Sequence, residues 1–83
     1  MKITVRYFAS IREALGTGSE ALETGAQTLG ELRTELLKRS PAHAEALASG
    51  RAVRMALNQT MADDRLPLSE GAEVAFFPPV TGG

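Results

Sequence analysis

The sequence predicts an α+β domain in which one main helix packs on one face of a mixed sheet. Three observations carry that reading: alternation from Lys2 to Phe8, an amphipathic stretch opening at Thr28, and a second alternating run behind Gly71. With 83 residues and 43% hydrophobic content there is material for one core and none for a second, so residues 1–83 are read as a single domain.

In the first strand Ile3, Val5 and Tyr7 share one face and form the core side, while Lys2, Thr4, Arg6 and Phe8 share the other. Ser10 and Glu13 have the spacing of a capping box, which predicts a very short helix starting at Ser10 and closing at Gly16. A weak strand from Ser19 to Glu23 follows, punctuated by Gly25. Thr28 and Glu31 make a second capping box, and Leu29, Leu32, Leu36 and Leu37 recur at helical spacing, so the main helix should run to near Arg39. Ser40-Pro41 reads as an N-cap with proline in the first helical position of another short helix, closed by Gly50. Val53, Met55 and Leu57 alternate with Arg54, Ala56 and Asn58 as a half-buried strand. Asp63-Asp64-Arg65 is a polar turn before a short strand at Leu66-Pro67-Leu68. In the last strand Val74 and Phe76 oppose Ala75 and Phe77, and the first and last strands are expected to lie parallel and adjacent.

Composition removes several classes of function. With no cysteine there are no disulfides, zinc knuckles or internal thiol nucleophile, and a reducing compartment is the natural fit. Strand-like residues follow Met1 directly, with no leader pattern and no apolar run of about 18 residues, which predicts a soluble cytoplasmic protein away from membranes. Nine basic residues against ten acidic ones, with no basic stripe, give no footprint for nucleic acid. His43, the only histidine, follows a helix cap on a polar stretch and is read as a solvated surface residue; neither a triad nor a metal site can be built around it. Asp63 and Asp64 are read as turn-formers, and no metal site or bound cofactor is expected.

Function is instead written at the end of the chain. Two glycines in succession, Gly82 and Gly83, present no Cβ and can thread a narrow channel, while Pro78 and Pro79 stop the strand ladder and direct an extended tail, residues 78–83, outward. On the outer face of the sheet Phe8 and Phe77 should sit side by side, and with Met61 nearby they make a docking surface beside that tail. Arg6 and Arg54 share this face, as solvated side chains or as partners for acidic groups.

YFASIRE near the start, LNQTM in the middle and EGAEVAFFPPVTGG at the end resemble the small subunits of molybdopterin synthases, in the MoaD/ThiS family of ubiquitin-like sulfur carriers. The resemblance spans nearly the whole chain, although the segment from Gly16 to Arg51 carries little family signature. It implies a β-grasp fold. It also implies that the carboxylate of Gly83 is adenylated with ATP by an adenylyltransferase like ubiquitin-activating enzymes, and then becomes a thiocarboxylate (1-thioglycine). The tail, with Thr81 and Gly82, would enter the large catalytic subunit of molybdopterin synthase and give its sulfur to cyclic pyranopterin monophosphate to build the dithiolene of molybdopterin. On this reading the chain is not an enzyme on its own, and Phe8, Met61 and Phe77 take the positions of the family's docking surface. Three alternatives share the same pattern: a carrier for thiamin thiazole synthesis, a ubiquitin-like modifier that forms isopeptide bonds, and a plain binding module with an idle C-terminus.

Overall fold

Alternation in the first seven residues makes β1, Lys2–Tyr7, whose Ile3, Val5 and Tyr7 are buried while Lys2, Thr4 and Arg6 are exposed. The computed structural model describes residues 1–47 and 53–79; the expected helix end at Gly50 and the residues Thr81, Gly82 and Gly83 lie outside the described residues. After β1 come α1 (Ala9–Leu15), β2 (Ser19–Glu23), α2 (Leu29–Leu37), α3 (Pro41–Leu47), β3 (Arg54–Leu57), β4 (Thr60–Ala62) and β5 (Glu73–Phe77). The five strands lie in the order β2-β1-β5-β3-β4. The central pair, β1 and β5, is parallel as expected, and every other pairing is antiparallel. This is a β-grasp: two hairpin-like arms joined through a parallel centre, with helices across one face.

Helix α2 forms because its ends are chemically marked and its apolar stripe has a sheet to cover. Thr28 Oγ1 accepts the Glu31 backbone N–H at 3.2 Å, and Glu31 Oε1 reaches back to accept the Gln27 N–H at 3.0 Å, so the box closes on the residue before the cap. Nine residues of helix are marginal in isolation. Leu29, Leu32 and Leu36 are buried in the same core cluster as Val5, Tyr7 and Phe76, worth about 1.5–3 kcal/mol each, and this packing stabilises the helix. The close approach at its start is made by Gly30: a Cβ there would stand 3.1 Å from the Asp64 side chain and 3.2 Å from its carbonyl oxygen.

Three local expectations change. The Ser10–Glu13 box does not form, because the Phe8 N–H is drawn into the sheet by the Phe76 carbonyl at 3.1 Å and Phe8 itself becomes the N-cap. Ala9, at φ 52°, turns the chain into the helix, which leaves Ser10 inside it; Gly16 still ends α1 in the left-handed region at φ 75°. The short strand at Leu66–Leu68 is only a single bridge, Thr28 to Pro67, since proline has no N–H for a ladder. The additional strand is β4 instead, reached through a two-residue turn at Asn58 and Gln59, both at positive φ (50° and 70°).

Candidate functional site

The outer face of the sheet is assembled by register. Arg6 on β1 pairs with Ala75 on β5, Ala75 with Ala56 on β3, and Ala56 with Met61 on β4, so these four form one row across the sheet. The neighbouring row holds Phe77 opposite Arg54, with Phe8 beside it at the end of β1. Phe8 and Phe77 line one depression of about 430 Å³ together with Arg6, Gln59, Glu73 and Ala75. Phe8 is 40% exposed, whereas Phe77 is half-buried. Met61, at 58% exposure, extends the apolar face but lines a separate depression of about 400 Å³ with Arg54 and Arg65. Two of the three expected docking residues therefore share one hollow and the third flanks it. Leu66, 39% exposed, is a further exposed apolar side chain that the sequence reading did not single out.

Arg6 is part of this surface. Its guanidinium Cζ lies 5.4 Å from the centre of the Phe8 ring, and its Nη1 is 3.3 Å from Glu73 Oε2. Charge, ring and carboxylate are thus held along one edge of the hollow. On the helix side of the sheet a groove of about 380 Å³, lined by Ile11, Ala14, Ala46 and Val53, ends at Pro78 and Pro79. The last described residues thus form part of this groove's lining.

Asp63, His43 and Tyr7 sit in packed or hydrogen-bonded settings away from the hollow. Asp63 Oδ1 accepts the Arg65 N–H at 2.8 Å and Oδ2 accepts from its guanidinium at 3.3 Å, which holds the carboxyl below its usual range. His43 is not the solvated residue that its polar surroundings in the sequence predict. Its Nε2 is buried with no hydrogen-bond partner among the described residues, its Nδ1 is 2.8 Å from Ser40 Oγ, and its ring meets Tyr7 edge-on at 6.3 Å. Burial lowers its pKa, Arg39 lowers it further, and Glu20 opposes both. Tyr7 donates to Glu20 Oε2 at 2.8 Å, and Glu20 pairs with Arg39 at 2.6 Å; burial and this carboxylate keep the phenol protonated. The cluster braces β1, β2 and the helical layer. Among the described residues no group of three or more His, Cys, Asp or Glu is placed to hold a metal ion, and no helix is long and apolar enough to cross a membrane.

Residues 5–83 match the ThiS family. The chain belongs to that family. This ThiS-family chain is 42% identical to the molybdopterin synthase sulfur carrier subunit of Escherichia coli, over 98% of this chain and 99% of that protein. Its fold matches a Helicobacter pylori chain solved as a complex of subunits 1 and 2 of molybdopterin-converting factor, with TM-score 0.72, 30% identity and complete coverage of both chains. It also matches SAMP1, small archaeal modifier protein 1, of Haloferax volcanii, with TM-score 0.77 and 25% identity over the whole of both chains.

Proposed function

We propose that this chain is the sulfur carrier subunit of a molybdopterin synthase. The observation that carries the proposal is the likeness to the Escherichia coli carrier at 42% identity over 98% of this chain. Chemistry sits at Gly83. Its carboxylate lacks a leaving group, so an adenylyltransferase uses ATP to form the glycyl adenylate with release of pyrophosphate. Sulfide, or a persulfide whose S–S bond is then reduced by a thiol, displaces AMP to leave a thiocarboxylate. That group is ionised at neutral pH, where a cysteine thiol of pKa about 8.5 mostly is not, and it donates sulfur to cyclic pyranopterin monophosphate. Thr81 and Gly82 let the tail reach into the large subunit, and Phe8, Met61 and Phe77 dock the body. The catalytic residues belong to the large subunit, and the process is cytoplasmic.

The test is accurate mass with C-terminal fragmentation after incubation with the activating enzyme, ATP and a sulfur source. An oxygen-to-sulfur exchange localised to Gly83 is the expected result. An unmodified carboxylate, with the enzyme active on another carrier, would remove the reading. Fragmentation is required because oxidation of Met1, Met55 or Met61 is nearly isobaric with that exchange. The likeness to an archaeal modifier favours a second reading, a protein modifier using the same activated glycine. Covalent conjugates on a denaturing gel would distinguish it.

A further inference from the structure

The depression lined by Phe8 and Phe77 is open because Ala75, in the row next to them, has the smallest side chain of its lining. On β5, Ala75 stands between Glu73 and Phe77 on the outward face, and its cross-strand neighbour on the other side is Ala56. Arg6, directly opposite on β1, does not fill the space: its guanidinium is drawn to Glu73 and the Phe8 ring. Its lining combines the Ala75 methyl and two phenylalanine rings with the polar side chains of Arg6, Glu73 and Gln59.

We propose that this hollow is a socket for one aromatic side chain with a neutral hydrogen-bonding tip, of the tyrosine class, presented by the large synthase subunit. The proposal rests on the carrier reading above. Size permits a whole aromatic side chain, since a depression of about 430 Å³ falls within the range of roughly 300–1,000 Å³ that ligand pockets span. Charge selects the tip. Arg6 and Glu73 are already paired at 3.3 Å, so the polar wall has no net charge with which to compensate a buried carboxylate or ammonium. A hydroxyl can accept from Arg6 or Gln59 and donate to the Glu73 carboxylate, satisfying both of its hydrogen-bonding capacities. Two phenylalanine walls give the ring edge-to-face or offset contacts, and aromatic anchors seated in such central pockets dominate interface energetics. Phe8, Glu73 and Arg6 thus act together as one recognition element.

The experiment fills the socket from below. Ala75→Leu, in the full chain, is titrated calorimetrically against the large synthase subunit, with Ala75→Ser, Arg6→Leu and Phe77→Asp measured alongside. A seated side chain predicts a loss of affinity of about 30-fold or more for Ala75→Leu, and a change within about 3-fold for Ala75→Ser. Arg6→Leu should weaken binding about 10-fold, because the tip loses its donor. Unchanged or tighter binding by Ala75→Leu overturns the socket, since on a flat surface an added leucine only enlarges the apolar contact. If Phe77→Asp then still weakens binding, the docking face stands and only the socket falls; if Phe77→Asp is also silent, the docking face itself is wrong. Thermal melts accompany each titration. Should Ala75→Leu fail to fold, Ala75→Met provides the same occlusion with a more adaptable chain.

Discussion

Phe76 and Phe77 are adjacent in sequence and belong to opposite sides of β5, so replacing each by alanine should give opposite failures. Phe76 is 0% exposed and stacks on Tyr7 with ring centres 6.2 Å apart at 18°. Losing it removes the transfer energy of a phenyl ring and leaves a cavity, about 3–5 kcal/mol. A chain of 83 residues has a total stability of about 4–12 kcal/mol. Phe76→Ala should therefore lower the melting temperature by some 12–40 °C, at about 4–8 °C per kcal/mol for this size, and the weaker end of that range is a chain scarcely folded at 37 °C. Phe77 is half-buried on the outer face beside an exposed Phe8, and its truncation should cost the fold about 1 kcal/mol or less. Its effect belongs to docking, where loss of a central aromatic is worth about 2 kcal/mol or more. Thermal denaturation and calorimetric titration against the large subunit, run on both variants, separate the two roles. Equal melting temperatures for the two variants would refute the face assignment, because they would require both rings to be packed alike.

Two further outcomes follow from the polar structure. Thr28→Ala removes the acceptor for the Glu31 N–H and should destabilise the protein by about 1 kcal/mol in denaturant titration, whereas Thr28→Ser should restore most of it; a silent alanine would show that the box contributes nothing. The half-buried His43, with its Nε2 shielded from solvent, resists protonation while the unfolded chain, with a pKa of 6.5, accepts the proton, so stability should be full above that value and fall as pH drops through and below it. Denaturation free energies measured from about pH 7.5 to about pH 5.5 should show this decline in the native protein and a flatter profile in His43→Gln; parallel profiles would refute it.

The features legible in the sequence are those set by local periodicity. The inward set of Ile3, Val5 and Tyr7 and the outward set of Arg6, Ala75 and Phe77 follow from a side-chain period of two, and the Thr28 cap depends on residues within four positions of it. Departures arise where a distant partner intervenes. Ser10 loses its capping position because Phe76, 66 positions away from it, claims the Phe8 N–H. His43 is half-buried with its ring edge-on to Tyr7, 36 positions earlier in the chain, a contact no neighbouring residue announces. The β3–β4 hairpin was hidden for a different reason: asparagine is at home at positive φ, but glutamine is not a turn residue, so Asn58-Gln59 gives only half of a hairpin signal. The pairing of Phe8 with Phe77 could be anticipated, since it needs only parallel first and last strands. The hollow between them could not, because it depends on where Arg6 swings.

The central position of β5 has a mechanical consequence. Any force applied at Pro78 along the chain is passed directly to a strand bonded on both sides, to β1 in parallel and to β3 in antiparallel. Both ladders then bear the load in shear, with their hydrogen bonds resisting together, and do not peel one at a time as an edge strand would. The C-terminal end of β5 is thus anchored where the sheet is hardest to unravel.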